Sequence, residues 1–258
     1  MEAIIKDAIK VGNSAGILLP KSWEGGKVKA VLIEEPLNIK WEVLRILEPY
    51  LKDIIAVFLY GSYAREEHDK KSDVDVLVVA NRKIDIPKKS RFDITVITED
   101  KTGKMRDNDP IFFYSLLREA KPIINASFLL SLKKEEPRAS YFRNFIESTK
   151  RMIKMNKEFI ELDKLDGELL ESTSVIYSII LRLRGVFIIN LILEKKEYSN
   201  TLFKNWIKNN AAGIEYDKIY NIYRAIRDKK EPEEEGKIKD VEMLLHLLEK
   251  EISKLEKK

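Results

Sequence analysis

FLYGSYAREEHDKKSDVDVLVVA, residues Phe58–Ala80, and RFDITVIT, residues Arg91–Thr98, are two apolar runs broken by acids at chosen places. Their period-two alternation and their Val, Ile, Leu and Phe content read as β-strands. Side chains alternate faces along a strand, so Asp73 and Asp75 share a face, with α-carbons roughly 6.6–7 Å apart. Val74, Val76 and Val78 point the other way, into a core. Leu77 and Val79 follow on the aspartate side. The acids therefore sit at the open end of a strand whose far end is covered on both faces. Asp93 interrupts the second run, on a strand placed beside the first. A carboxylate in such a setting is costly unless something positive compensates it. Three on adjacent strands point to a divalent cation, and hard Mg²⁺ takes a few carboxylates together with water and phosphate oxygens.

Gly61-Ser62 closes the strand before the acids. Glycine lets a backbone approach a phosphate closely. A helix beginning there would offer free N–H groups and its positive end, and the Ser62 hydroxyl adds a donor. Arg65, about a turn later, is within reach of a phosphate, and Lys70 and Lys71 add positive potential to the loop.

Outward from this centre the chain reads as three zones: 1–36, 37–137 and 138–258. In the first, the short runs AIIKDAIKV, GILLP and KVKAVLIEE are punctuated by Gly12-Asn13-Ser14 and Gly25-Gly26, and Pro36 marks its end. About 35 residues is too few for a free-standing core, so this zone docks or dimerises. In the second, Trp41, Leu44, Leu47 and Leu51 recur at helical spacing ahead of strands expected at Ile54–Tyr60, Asp73–Val79 and Arg91–Ile97. Asp109-Pro110 opens a helix to Glu119 as an N-cap and first-position pair. A short strand at Pro122–Ile124 and a helix at Ala126–Leu132 follow.

The third zone reads as helices over Tyr141–Leu162, Glu168–Glu194, Thr201–Asn209, Tyr216–Lys229 and Val241–Leu255, apolar on one side and charged on the other. EPEEEG, Glu231–Gly236, reads as a solvated loop. Tyr216, Tyr220 and Tyr223 form a helix stripe that serves core packing or a base-binding platform. Arg182 and Arg184 interrupt the longest apolar stretch, Ser174–Leu193, and argue against a membrane span there. The expected class is α+β: a small mixed sheet flanked by helices, a short N-terminal β segment and a C-terminal helical bundle.

Charged residues make up 35% of the chain, but Lys/Arg and Asp/Glu nearly balance at a net +4, which is no strong polyanion-binding footprint. The absence of cysteine excludes disulfide and thiolate chemistry. The N-terminal MEAIIKDAIK lacks a signal peptide's apolar core, so a cytoplasmic protein is expected.

Gly61-Ser62, ten residues, Asp73-Val-Asp75 and a later-strand Asp93 together resemble the nucleotidyltransferase superfamily of DNA polymerase β. More narrowly, GSYAR…SDVDVLVV resembles its minimal and aminoglycoside-type members. The resemblance spans Ile54–Ile97 and extends to about Leu132. It implies a nucleoside triphosphate donor, ATP favoured, two Mg²⁺ ions, and transfer of a nucleoside monophosphate to a hydroxyl. Asp73 and Asp75 match the family's paired metal ligands, Asp93 its third acid, which also accepts a proton, and Gly61 and Ser62 its phosphate-binding pair. The acceptor (small alcohol, antibiotic, RNA end or protein hydroxyl) stays open.

KVGNSAGILLPKSWEGGKVKAVLIEE resembles the swapped-hairpin modules of AbrB/MazE-type regulators, which dimerise and often bind DNA. Here Lys6, Lys10, Lys21, Lys27 and Lys29 are balanced by Glu2, Asp7, Glu24, Glu34 and Glu35, which weakens the case for phosphate contacts. A homodimer through this segment is the expected partner relation. The alternatives to an enzyme of free hydroxyls are a regulatory DNA- or protein-binding module with a nucleotide-sensing site, and an antitoxin-like protein adenylyltransferase. An RNase role for the helical tail fails, because neither His68 nor His246 follows an arginine at the spacing that HEPN-type RNases use.

Overall fold

A computed structural model describes residues 4–31, 38–69, 72–89 and 91–258. The expectations at Pro36, Lys70 and Lys71 lie outside the described residues. Two compact units are present, residues 1–38 and 39–258.

In the first unit, β1 (Ile9–Val11) and β2 (Ser14–Gly16) pair antiparallel around a Gly12-Asn13 turn, with Gly12 at φ +59°. The other expected strands do not form among the described residues: Lys21–Trp23 makes a 3₁₀ turn, residues 24–31 carry no ladder, and 32–35 lie outside. No residue in 4–31 is buried, and Ile5 and Leu18 are 82% and 73% exposed. A three-residue ladder has no second layer to bury them.

The second unit opens with α1 (Ile39–Leu47), which tightens into a 3₁₀ helix over Glu48–Asp53 with Pro49 in its first turn, where a missing N–H is tolerated. Its buried face is Val43 and Leu47, whereas Trp41 and Leu51 of the expected stripe are exposed. Then follow β3 (Ile54–Tyr60), the single turn α2 (Gly61–Ala64), β4 (Val74–Ala80), β5 (Phe92–Thr98), α3 (Thr102–Asn108), α4 (Pro110–Glu119), β6 (Lys121–Ile124) and α5 (Ala126–Leu132). Asp109 caps α4 by accepting from the Phe112 N–H at 3.0 Å, with Pro110 at the first position. The sheet order is β5-β4-β3-β6, with β4 and β5 parallel and the other pairs antiparallel. One sheet face packs Val57, Val74, Val76, Val78 and Phe92 on α1. The other packs Ala56, Phe58, Leu77 and Val79 on the helices.

The helical region comprises α6 (Arg143–Asp163), β7 (Leu169–Leu170), α7 (Ser174–Leu193), α8 (Asn200–Asn210), α9 (Tyr216–Arg227), β8 (Gly236–Lys237) and α10 (Ile238–Glu256). The α7 helix is apolar nearly all round because α4, α6, α9 and α10 all pack on it. By length and composition alone it could cross a membrane, yet Ile179, Ile180, Leu183, Val186 and Ile189 are fully covered by protein. Gly185 admits α6 closely: a Cβ there would stand 2.5 Å from Cζ of Phe145.

α7 starts six residues later than its periodicity predicts. Leu169–Leu170 instead pairs with Gly236–Lys237, and Asp163 accepts from the Ser172 N–H at 2.8 Å. The same pairing buries Gly236, the end of the acidic run read as a loop. One hydrophobic core runs from Phe58 and Leu77 of the sheet to Leu248 of α10, so packing is continuous across residue 137.

Candidate functional site

The parallel register of β4 and β5 sets Asp75 directly beside Asp93. Neighbouring strands lie about 4.8 Å apart, and directly paired residues project to the same face. Asp73 immediately precedes β4, two residues before Asp75, and both Asp73 and Asp93 are exposed while Asp75 is half-buried. Tyr60, the last residue of β3, pairs with Asp75 from the opposite side. Burial, the charges of Asp93, Asp73 and Glu119, and only partial relief from Arg65 push the Asp75 carboxyl up to about 6. Burial, then the charges of Asp75, Asp93 and Glu119, also raise Tyr60, against a hydrogen bond with Thr95.

These carboxylates suit a hard cation by chemistry, since every donor is an anionic oxygen. Among the described residues, no three acids or histidines draw together into a closed metal-ligand cluster. What the fold supplies is a shared face and a concentration of negative charge around Asp75 that Arg65 relieves only in part.

Gly61 takes φ +72° and presses its α-carbon on Asp75. A Cβ there would come within 2.9 Å of the Asp75 Cγ and nearer still to Oδ2, so both the dihedral and the contact demand glycine. The turn that follows, α2, is four residues long, so the helix-dipole contribution expected at Gly61-Ser62 is small. Ser62 is half-buried at the start of that turn.

Two carboxylates missing from the sequence reading complete the turn's surroundings. Glu119, the last residue of α4, accepts from the Gly61 N–H through Oε1 at 2.8 Å and from Arg65 Nη1 through Oε2. Glu67 accepts from Arg65 Nε at 3.1 Å. Arg65, expected at a phosphate, is thus held between two acids, with its guanidinium 5.4 Å from the Tyr198 ring centroid. Glu67 also accepts from the Asn200 backbone N–H at 2.9 Å and its side-chain amide at 3.2 Å, at the first turn of α8. A carboxylate is favoured at that helix end.

The chain of contacts continues to Arg184, which donates to Asn200 Oδ1 at 3.2 Å and to the Tyr220 hydroxyl at 3.1 Å. Arg184 lies among the rings of Tyr198, Phe203 and Tyr223, and its Nε is buried without a hydrogen-bond partner. Arg182 points elsewhere, onto Phe145 and the hydroxyls of Ser148 and Thr149. Among the described residues neither arginine bonds a carboxylate. Tyr177, Tyr223, Tyr220 and Tyr216 stack in series at 5.5 Å. Tyr216 and Tyr223 are core residues at 3% and 2% exposure, while Tyr177 and Tyr220 are half-buried. His68 stacks on Tyr63 at 3.9 Å, and His246 stands exposed on α10.

Residues 42–159 match the family model described as Polymerase beta, Nucleotidyltransferase. A spectinomycin adenyltransferase, AAD(9), from Enterococcus faecialis, solved with ATP and spectinomycin, is 15% identical with a TM-score of 0.45, over 82% of this chain and 97% of that one. A nucleotidyltransferase-like protein from Exiguobacterium sibiricum is 10% identical with a TM-score of 0.39, over 84% and 75% of the two chains. No curated protein matches the sequence. Structural likeness at that level carries no ligand or reaction across. The family match is of another kind, because the residues that match the polymerase β-type nucleotidyltransferase model, 42–159, enclose Gly61, Ser62, Asp73, Asp75 and Asp93 together.

Proposed function

We propose that the protein transfers a nucleoside monophosphate from a nucleoside triphosphate, ATP the first candidate, to a hydroxyl acceptor in a Mg²⁺-dependent reaction. The observation that carries this reading is the register pairing of Asp75 with Asp93 at the strand ends, with Gly61 pressed against Asp75. Asp73, Asp75 and Asp93 would hold Mg²⁺, which supplies charge neutralisation at the phosphates and a lowered pKa for the attacking hydroxyl. Asp93, exposed beside Asp75, is the group free to take that hydroxyl's proton. The Ser62 hydroxyl receives a phosphate oxygen, and the Gly61 turn, its own N–H held by Glu119, sets that hydroxyl beside Asp75. Arg184, a largely buried cation whose hydrogen-bond partners among the described residues are neutral, is the helical region's counterpart for the triphosphate's charge.

The test is incubation of labelled NTPs and Mg²⁺ with panels of small alcohols, RNA ends and protein hydroxyls, reading pyrophosphate release and label transfer. Arg184→Met is expected to weaken ATP·Mg²⁺ binding by about 10- to 100-fold in calorimetry, the range for losing a charge-assisted hydrogen bond. No ATP binding by the parent protein in millimolar Mg²⁺ would remove the reading.

For the first unit we propose self-association, because residues 4–31 leave Ile5, Leu18 and Val31 largely exposed with no layer of their own to cover them. Light scattering should give a dimer mass for the full chain and a monomer mass after removal of residues 1–38. Equal masses would reject it.

A further inference from the structure

Glu119 joins both ends of one turn. Its Oε1 receives the N–H of Gly61, where the turn begins, and its Oε2 receives the guanidinium of Arg65, where it ends. The turn closes on itself as well, with the Arg65 N–H donating to the Gly61 carbonyl at 3.2 Å. The Glu119 side chain is only 11% exposed, and it is anchored from behind. It ends α4, and Lys121, two residues on, pairs with Leu59 beside the turn's entry. A carboxylate at this place adds to the crowd of negative charge on Asp75, so its electrostatic effect on the acids is adverse. What it supplies is geometry, because the glycine whose N–H it holds is the residue whose α-carbon abuts the Asp75 carboxylate.

We propose that Glu119 is a positioning residue for nucleotidyl transfer: it fixes the Gly61-Ser62 turn against Asp75, and Arg65 acts on the turn through Glu119 rather than on a phosphate. The inference rests on the nucleotidyl-transfer reading, in that the turn it fixes is the one assigned to the phosphates. With both oxygens of Glu119 engaged and Glu67 on its Nε, Arg65 has its charge matched by two acids already. Displacing them to reach a phosphate would leave Glu119 nearly buried and unpaired, which is unfavourable.

Four variants decide it: Glu119→Gln, Glu119→Ala, Arg65→Met, and Glu119→Ala with Arg65→Met. The readouts are amide hydrogen exchange at Gly61 and Ser62 without ligand, and kcat and KM for ATP with Mg²⁺. Glu119→Ala is expected to speed exchange at the Gly61 amide by about tenfold or more, the order expected when one charged acceptor is lost. Glu119→Gln, which keeps the shape and one acceptor oxygen, should rescue much of that protection. In kinetics, kcat should fall by roughly 30- to 100-fold with KM for ATP changed by less than about threefold, the pattern of misplacement rather than lost binding. Arg65→Met should match Glu119→Ala, and the double variant should be no worse than either single one. Unchanged Gly61 exchange in Glu119→Ala overturns the proposal. So does a tenfold rise in KM on Arg65→Met while Glu119→Ala stays parent-like, which would put Arg65 on the nucleotide. A parent protein without turnover on any acceptor strikes the reaction assignment instead, and the exchange result still decides whether Glu119 holds the turn.

Discussion

Asp75→Asn is expected to end catalysis and to stabilise the metal-free protein, both from the same cause. On the catalytic side, the substitution removes one of the anionic oxygens for the cation that neutralises the phosphates. A loss of about 4 kcal/mol of transition-state charge stabilisation corresponds to roughly a 10³-fold fall in transfer rate. On the stability side, Asp75 is pushed up to about 6 from its ordinary value of 3.8, by burial and then by Asp93, Asp73 and Glu119. A carboxyl that binds its proton more tightly when folded loses stability as pH rises: nothing is lost below about pH 4, and the full penalty applies above about pH 6. The unscreened figure for that shift is about 3 kcal/mol, and water around a half-buried group reduces it to about 1–2 kcal/mol. An amide at position 75 escapes the penalty. The Asn variant should therefore melt roughly 2–6 °C above the parent at pH 7.5, with the difference vanishing at pH 4. Mg²⁺ should raise the parent's melting temperature and leave the variant's unmoved, because only the parent's folded state gains by binding it. A variant that melts below its parent at pH 7.5 in chelator would mean that Asp75 carries no electrostatic strain, and the site would lose its main physical argument.

What the sequence disclosed and what it hid divide along the range of the interactions involved. Strands β3, β4 and β5 were legible to within a residue, because short runs rich in β-branched and aromatic residues, with valine and aspartate alternating at β4, are a local pattern that a buried sheet enforces. The split of β4 into a Val74/Val76/Val78 face and a Leu77/Val79 face follows from that alternation and appears in the two cores. The start of α4 was legible because Asp109-Pro110 is a local capping signal. Glu119 was not, since its partners lie 54 and 58 residues away and no spacing rule links them. For the same reason Arg65 read as a phosphate ligand: alone it is a free cation near a Gly-Ser turn, and only the fold brings two acids to it. The start of α7 was misjudged because the Leu169–Leu170 pairing is with Gly236–Lys237, far along the chain. Trp41 and Leu51 carried the right period for a buried stripe, but the sheet chose the adjacent face with Val43. Among the described residues of the N-terminal unit, strand-like runs have no second layer, and propensity alone does not hold GILLP in a ladder.

Gly61→Ala should be the most damaging single-methyl substitution in the chain, with a penalty that can be divided experimentally. One part belongs to the backbone. At φ +72° an alanine is in the left-handed region, which costs about 1–2 kcal/mol relative to glycine. The other belongs to Asp75, whose Cγ and Cβ would stand 2.9 Å and 3.2 Å from the new methyl, with Oδ2 closer still. Relief requires the carboxylate to turn or the strand end to move, and overpacking of this kind costs about 1–3 kcal/mol. Together these predict a destabilisation of about 2–5 kcal/mol by urea titration and a loss of transfer of at least about 10²-fold, because the acid that must meet the cation is the group displaced. Shortening Asp75 to alanine removes the Cγ and Oδ2 contacts, the larger share of the second part, and leaves the first. In an Asp75→Ala background, Gly61→Ala should therefore cost little beyond the backbone share of about 1–2 kcal/mol, so the two substitutions couple by about 1–3 kcal/mol. Strict additivity would show that Gly61 and Asp75 do not meet. The turn would then be a simple chain reversal, and neither its glycine nor its nearness to the acids could be assigned to phosphate recognition.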